Sequence, residues 1–451
     1  MKKEDRIFIK EQLKCFFKSI RKVFKLKYKD RKYSTKKILV GGGYGYGNVG
    51  DEAQCSATLK LLSERYHDFQ IVNLTPNVEY SKKEHPQFVH DFASRTMFYN
   101  HMRENNCYGI DTSRLKKCIF LLKSGLIYLN AFLVRADFPT FMINARSAKF
   151  LYELKEASLF YFCGGGYLTG GTLSRLWDGV LICRLAKVFK TPVVMSGQTI
   201  GVWRNKFNEK YAKWGFKHVN IITVRDEEFS LKDLEKIGLK GEKYFVTHDD
   251  ALHCEKSEEK QINIENYVAL NFHYWGMTDE EKFGYLDKMN DIVKHILNSG
   301  KNIVFIPMHW TDKLSFDDYI AKYPDDRVSC FEYDYDFRQV RRVIAESCAC
   351  VTMKHHPIIF AMGETVPALS LAFSDYYVHK NVGALAQYGQ ERYSLNLEDE
   401  NYLGKFVELY DNILENKEKI VQEISERIKI LDERKEQFLK KVDVILRGNY
   451  D

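Results

Sequence analysis

Short apolar runs alternate with helical segments along most of the chain. Runs of three to six mainly apolar residues that end at glycine or a polar cluster are typical of strands buried on both faces, and apolar residues three and four positions apart predict helices between them. The runs lie at 38–40, 70–74, 158–163, 192–196 and 220–224, and then at 267–272, 302–307, 349–353 and 367–372. This alternation predicts parallel sheets covered by helices on both faces.

A charged stretch at 255–261 separates the two series of runs, and 451 residues are too many for one ordinary core. We therefore predict a Rossmann-like domain over 35–258, with an insertion near 80–150, and a second Rossmann-like domain over 259–400. Residues 401–451 form an amphipathic helical segment. Two doubly wound domains of this kind face each other across a cleft, and their ligands lie beyond the carboxyl ends of the strands.

The net charge of +7 is concentrated at the start of the chain. Residues 1–37 hold fifteen Lys and Arg against four acids, and the remainder is nearly neutral, with no basic stripe for nucleic acid. Within the arm 1–34, apolar residues recur at helical spacing. Such a basic amphipathic helix suits an anionic membrane surface, or its apolar stripe docks on the protein itself. We expect a cytoplasmic protein, peripheral at the inner face of the membrane if the arm binds lipid.

The apolar run 119–134 is shorter than the roughly 20 residues that a membrane span needs, and Lys123 and Asn130 interrupt it. We interpret it as a buried or lid-forming helix. The ten cysteines include no Cys-x-x-Cys pair, so that reduced, mostly buried thiols are expected.

Six glycines follow the first strand, and a helix-forming segment follows them. Gly47, Asn48 and Gly50 would let a ligand approach the backbone beside the positive end of that helix. The loop is either such an anion or sugar cradle or a tight structural turn. Asp51 is either an ordinary N-cap or a free carboxylate with a chemical role.

Other polar residues also stand where predicted strands end. Gly165 and Gly166 follow one strand, and Gln198, at the end of another, could bind sugar hydroxyls. The planar fork of Arg225 matches a carboxylate or phosphate, or forms a salt bridge with Asp51 or Asp226.

In the second series, Lys354, His355 and His356 join a strand to a helix. A histidine at a helix N-terminus beside a cation can serve as a proton donor, and we assign that role to His356, with His355 pointing away into the packing. A metal cluster of His248, Asp249, Asp250 and His253 is conceivable but arises easily by chance.

These segments together resemble the polysaccharide pyruvyl transferase family. The matching segments are 47–52, 164–166, 197–201, Arg225-Asp226 followed by Ser230, 249–251 where the family usually has Asp-Pro-Ala, 354–356 where it shows Arg-Leu-His, 363–367, and Lys380. The resemblance implies a glycosyltransferase-B-like fold. It also implies transfer of pyruvate from phosphoenolpyruvate to two sugar hydroxyls, forming a cyclic ketal in a cell-surface polysaccharide precursor.

For that chemistry we expect donor binding by Arg225, Lys354, Lys380 and the glycine loop, proton donation by His356, and a base or electrostatic role for Asp51. No cofactor or metal is needed, and the acceptor is a nucleotide- or lipid-linked sugar. Lys354 keeps the charge of the family's arginine but loses its bidentate geometry. Two alternatives stay open: a nucleotide-sugar-dependent glycosyltransferase, and a non-catalytic, membrane-associated glycan-binding protein.

Overall fold

The computed structural model describes residues 36–448, apart from 46, 92–113, 171–172, 204, 275–276, 333, 335 and 374. The predicted N-terminal arm, 1–34, lies outside these residues. Their strands form two sheets, and every strand pairing in both is parallel. The fold class predicted from the alternation of apolar runs is therefore confirmed.

The first sheet has the strand order β3-β2-β1-β4-β6-β7-β8, with β5 beside β6. Its strands are β1 (Lys37–Gly41), β2 (Gln70–Leu74), β3 (Val89–Asp91), β4 (Leu159–Phe162), β5 (Gly165–Thr169), β6 (Val193–Gly201), β7 (Ile221–Val224) and β8 (Tyr244–Val246). Strand β1 lies at the point where the order reverses, so the loop that follows it opens into the crevice where such sheets bind ligands.

The second sheet has the order β11-β10-β9-β12-β13-β14. Its strands are β9 (Tyr267–Asn271), β10 (Asn302–Phe305), β11 (Val328–Cys330), β12 (Ala349–Thr352), β13 (Ala368–Ala372) and β14 (Ser394–Asn396). The last strand of the first sheet ends at Val246 and the first strand of the second begins at Tyr267, so that the predicted domain boundary at 258 lies between them.

Helices cover both faces of both sheets. In the first domain they are α1 (Val49–Arg65), α2 (Val78–Glu84), α3 (Arg114–Arg135), α4 (Ala145–Glu156), α5 (Leu173–Phe189), α6 (Lys206–Phe216) and α7 (Lys232–Lys236). In the remainder they are α8 (Asp279–Asn298), α9 (Trp310–Lys322), α10 (Phe337–Ala345), α11 (His355–Gly363), α12 (Asp375–Ala386), α13 (Tyr402–Glu415) and α14 (Lys417–Arg447).

Alternate residues of β1 serve the two faces of the first sheet. Leu39 packs into the core beneath α3, α4 and α5, whereas Ile38 and Val40 pack into a core that α1 covers. Helix α14 completes this second core, because Phe438 and Val442 are buried in it. The C-terminal helix thus returns from the second domain to the first, which the sequence pattern did not predict.

The apolar run 119–134 lies within α3. Ile127, Ala131 and Val134 of this helix are buried in the core of the first domain, as predicted for a buried helix. None of the helices in the described part of the chain is long and apolar enough to cross a membrane.

Candidate active site

The start of α1 in the first domain lies against the start of α11 in the second. A Cβ atom at Gly50 would be 2.0 Å from Cγ and Nδ1 of His356, so the imidazole lies directly on the glycine. Beside this contact, the N–H of Val49 donates to the carbonyl oxygen of Met308 at 3.1 Å. Both helices follow strands, and the two domains therefore meet where doubly wound sheets bind ligands.

Asn48, and not Asp51, caps α1. The side-chain oxygen of Asn48 accepts hydrogen bonds from the N–H groups of Gly50 and Asp51, at 3.1 and 3.3 Å. The N–H of Glu52 donates to the Asn48 carbonyl oxygen at 3.0 Å, and the Glu52 carboxylate accepts from the N–H of Gly45 at 2.6 Å. The anion cradle predicted at this helix end is therefore closed by internal hydrogen bonds. The half-buried Asp51 carboxylate is left for another role, since the cap is already made.

A buried carboxylate, that of Asp249, gathers side chains from both domains. It accepts hydrogen bonds from Nε2 of Gln54 at 2.8 and 2.9 Å, from Nε2 of His355 at 3.2 Å, and from the N–H of Ala251 at 2.9 Å. It also forms an ion pair with Nη1 of Arg225. Burial alone would raise the pKa of Asp249, but the charge of Arg225 and the His355 hydrogen bond hold it well below its usual range.

One of the two terminal nitrogens of the Arg225 guanidinium makes no hydrogen bond to a described residue. The side chain is 2% exposed, its Nη1 pairs with Asp249, and its Nη2 is buried without a hydrogen-bond partner among the described residues. A Cβ atom at Gly166 would be 3.3 Å from Nη2, so this nitrogen faces the glycine segment after β4. Arg225 does form a salt bridge, but its acid is Asp249 and neither of the two considered from the sequence, Asp51 and Asp226.

Both histidines at the start of α11 belong to the site. Nε2 of His355 carries the hydrogen because its partner is a carboxylate, which leaves Nδ1 as an acceptor. That Nδ1 and Nε2 of His356 are buried and lack hydrogen-bond partners in the part of the chain that is described. Burial lowers the pKa of each ring to about 3, so that both are neutral at pH 7. His355 is packed, as predicted, but onto Asp249 and not away from the site.

The two lysines predicted to bind the donor, Lys354 and Lys380, have different surroundings. Lys354 takes the N-cap position without capping the helix, and its Nζ donates to Oδ1 of the buried Asp312 at 2.5 Å. Within the described part of the chain no side chain therefore caps α11. Its positive dipole end and the N–H groups of His355 and His356 suit an anion, although Pro357 contributes no N–H. Lys380 in α12 is half-buried, and its charge adds to the effect of burial in lowering the pKa of His355.

Gln198, the predicted sugar-binding residue, is fully buried. Its Nε2 donates to the carbonyl oxygen of Cys163 at 2.6 Å, whereas its Oε1 has no hydrogen-bond partner among the described residues. Gly165 has a φ of 146°, and a Cβ atom there would be 3.4 Å from Oε1 of Gln54. Gly47 has a φ of 74° and turns the chain into α1. These glycines shape the site, and Gln198 is as deeply buried as Gln54, so that its contact with a sugar stays a prediction.

Sequence reasoning missed Gln54 as a site residue and gave Asp249 no role of its own. Oε1 of Gln54 is buried without a hydrogen-bond partner in the described structure. Its position three residues after Asp51 places both on one side of α1, and this spacing was the available signal. The link to Asp249 spans 195 residues of sequence, so only the fold reveals it.

Asp250 turns to the opposite side from Asp249. Its carboxylate accepts from the hydroxyl of Ser196 at 2.6 Å, from the N–H of Gly164 at 2.8 Å and from Nζ of Lys435 at 2.5 Å. Lys435 comes from α14 and is 6% exposed. The metal cluster considered from the sequence is therefore wrong as composed, because both aspartates already have buried cationic partners.

A sequence model describing the polysaccharide pyruvyl transferases matches residues 48–375. The match covers most of the chain, from the end of the loop after β1 to the start of α12, and among the candidate site residues it leaves out Gly47 and Lys380. The chain belongs to the polysaccharide pyruvyl transferase family. It is accordingly a transferase. A comparison with curated proteins finds no match.

Solved structures with similar folds include several UDP-N-acetylglucosamine 2-epimerases. A putative enzyme from Listeria monocytogenes has a TM-score of 0.54 at 14% identity, covering 87% of this chain and 91% of its own. The Rickettsia bellii enzyme has a TM-score of 0.53 at 11% identity, covering 92% and 98%. The Neisseria meningitidis enzyme bound to UDP-GlcNAc has a TM-score of 0.51 at 12% identity, covering 89% and 100%. At this identity the likeness establishes the fold, which is the two-domain, glycosyltransferase-B type.

Two of the departures from the pyruvyl transferase pattern, Lys354 and Asp250, each have a buried partner of opposite charge. Lys354, at the family's arginine position, is bound by Asp312, and Asp250, at the family's proline position, is bound by Lys435. A lysine or carboxylate at a partly or fully buried position is stabilised by such pairing. The two substitutions are thus integrated into the structure of this pyruvyl transferase family member.

Proposed function

We propose that this transferase moves pyruvate from phosphoenolpyruvate to two hydroxyls of a nucleotide- or lipid-linked sugar, forming a cyclic ketal in a cell-surface polysaccharide precursor. One observation carries the proposal. Three side chains held on the Asp249 carboxylate, those of Gln54, Arg225 and His355, each keep a buried polar atom that has no partner among the described residues. Leaving such atoms unpaired costs about 1–3 kcal/mol each, which a polar ligand would recover.

The donor is a small anion with a carboxylate and a phosphate. The free Nη2 of Arg225 suits the carboxylate, because a guanidinium binds carboxylate oxygens with charge-assisted hydrogen bonds. The uncapped start of α11 and the charge of Lys380 suit the phosphate. Lys354 contributes its positive charge from its place beside Asp312 and is not a direct ligand in this scheme.

Transfer begins with a proton added to the methylene carbon of the enol, which leaves a positive centre on the adjacent carbon. The first sugar hydroxyl adds there and loses its proton. Phosphate then leaves with one proton, and the second hydroxyl closes the ketal as it loses its own. One proton enters at carbon and two leave from the hydroxyls, so that the net products are the ketal and hydrogen phosphate.

His356 is the proposed acid, and Asp51 the proposed base or the carboxylate that stabilises the positive centre. His356 is neutral in the free protein, because burial lowers its pKa to about 3. A bound donor anion favours the protonated ring and raises this pKa. Donor binding would then charge the acid that the reaction requires.

The experiment incubates the purified protein with phosphoenolpyruvate and a panel of UDP-linked and lipid-linked sugars. Phosphate release is measured, and the sugar product is examined by mass spectrometry. UDP-linked sugars are included because the similar Neisseria meningitidis structure contains UDP-GlcNAc. His356→Gln should lower turnover by roughly 10²–10⁴-fold, the usual value of general acid catalysis, and leave donor binding nearly intact. Release of UDP without phosphate would instead indicate a glycosyltransferase.

A further inference from the structure

Three side chains with metal-ligating atoms meet where α14 crosses the segment that leaves β8. Nε2 of His253 is 2.7 Å from Oδ1 of Asp432, and Nε2 of His248 is 3.6 Å from the same oxygen. The ligand atoms of the three residues lie within 4.8 Å of one another, and no other three His, Cys, Asp or Glu side chains meet in this way among the described residues. His248 is buried, while the other two side chains are about half exposed.

The hydrogen bonds of His248 aim a lone pair at this point. Nδ1 of His248 is 2.8 Å from the carbonyl oxygen of Asp249, so Nδ1 carries the hydrogen and the neutral ring keeps its lone pair on Nε2. That lone pair faces the carboxylate of Asp432. Two acceptors facing each other repel unless a cation lies between them. Backbone carbonyl groups orient metal-binding histidines in this same way.

We propose that His248, His253 and Asp432 bind a divalent transition metal ion of the zinc class. Two imidazoles and a carboxylate are ligands that suit Zn²⁺. Metal–ligand bonds of about 2.1 Å in a tetrahedron separate ligand atoms by about 3.4 Å. The 3.6 Å between Nε2 of His248 and Oδ1 of Asp432 already fits this value. Nε2 of His253 and the same oxygen are 2.7 Å apart, and they would separate by about 0.7 Å once the proton between them is lost.

The site also has space for solvent ligands and a route of entry. A cavity of about 420 Å³ is lined by all three side chains, together with Lys435 and residues of α1. A protein that supplies three ligands leaves the fourth position of a tetrahedral ion to water from this cavity. Asp432 stands one turn before Lys435, so the ion would clamp the same part of α14 that Lys435 anchors.

A second His–Asp pair in the chain provides the contrast. Nε2 of His295 is 3.0 Å from Oδ1 of Asp411, and no third ligand joins this pair among the described residues. An ion pair alone explains the His295–Asp411 contact. A simple ion pair does not explain the orientation of His248. Because His295 also pairs with an aspartate but has no third ligand among the described residues, a variant of His295 is the matched control.

The experiment uses the full-length, untagged protein, freed of metal with a chelator, and adds Zn²⁺ alone. Isothermal titration should show one Zn²⁺ bound per chain, and excess Zn²⁺, but not Mg²⁺, should raise the melting temperature. His253→Gln and Asp432→Asn should each weaken this binding by roughly 10–100-fold or more, whereas His295→Gln should leave it unchanged. X-ray absorption should show nitrogen and oxygen ligands around the ion.

Several results would overturn the proposal. These are no saturable Zn²⁺ binding by the wild-type chain, equal binding by the His253→Gln and wild-type chains, or sulfur ligands, which would place the ion on cysteines. His253 and Asp432 are half-exposed, so both variants should fold, and circular dichroism checks that they do.

Discussion

Gly50→Ala should separate the two helix starts that form the active site. The added Cβ would be 2.0 Å from Cγ and Nδ1 of His356, whereas ordinary carbon contacts are about 3.5–4.0 Å. The methyl group is fixed to the backbone of α1, so the imidazole and the start of α11 must retreat by roughly 1.5 Å. A misplacement of about 1 Å can cost about 10²-fold in rate, and we expect phosphate release from phosphoenolpyruvate to fall by at least about that factor.

Stability should change less than activity. Overpacking costs about 1–3 kcal/mol, a fraction of the about 5–15 kcal/mol that holds a typical protein folded. Thermal unfolding of Gly50→Ala should therefore show a cooperative transition at a lower temperature. Steady-state kinetics under conditions where the variant is folded then report the displacement of His356 and not the loss of structure.

Two further variants make the test specific. Gly284→Ala adds a methyl group in α8 with no atom within 4 Å, and it should leave turnover unchanged and stability equal or slightly higher. His356→Ala in the Gly50→Ala chain removes the clash, and should restore the melting temperature without restoring turnover. A Gly50→Ala enzyme with wild-type rate and melting temperature would refute the contact between Gly50 and His356 as the catalytic geometry.

Three other outcomes are expected. Lys435→Met leaves the Asp250 carboxylate buried without its cation, and should lower the free energy of unfolding in urea titrations by about 3–5 kcal/mol; Asp250→Asn in the same chain should recover most of this loss. Lys354→Met should lower the melting temperature, because Lys354 binds Asp312, and should leave the phosphoenolpyruvate concentration for half-maximal rate nearly unchanged. A large rise in that concentration with an unchanged melting temperature would instead make the ammonium a donor ligand. Stability should fall as the pH drops from 6.5 towards 3, since His355 has a pKa of about 3 when folded and 6.5 when unfolded, and so binds a proton preferentially in the unfolded chain. His355→Gln should flatten this part of the stability curve, and an unchanged slope would contradict the assignment.

The sheets were predictable because their signal is local. The apolar run at 158–163 contains β4, and the run at 267–272 contains β9. A strand buried on both faces has to be apolar throughout its length, so a few residues are enough to reveal it. Helix α14 shows the limit of local signals. Its amphipathic pattern predicts a helix, but not which of the two domains it covers.

The site was less predictable, because its contacts join distant residues. Asn48 and Asp51 are both good N-caps, and only the geometry of the loop decides between them. The partner of Arg225 is Asp249 and not the adjacent Asp226, which depends on how β7 and β8 lie side by side. Asp432 joins two histidines about 180 residues earlier in the chain, and no spacing rule reaches that far.

The return of α14 to the first sheet has a consequence for synthesis of the chain. Phe438 and Val442 of α14 close the core that contains Ile38 and Val40. The other buried residues of this core either precede residue 222 or belong to α14 themselves. At about 5–20 residues per second, a ribosome needs roughly 10–40 s to proceed from Val246 to Phe438. During that interval one apolar face of the first sheet lacks part of its cover. The domain that is translated first is thus among the last to be completed, and a nascent chain has to be kept from aggregating until its final helix emerges.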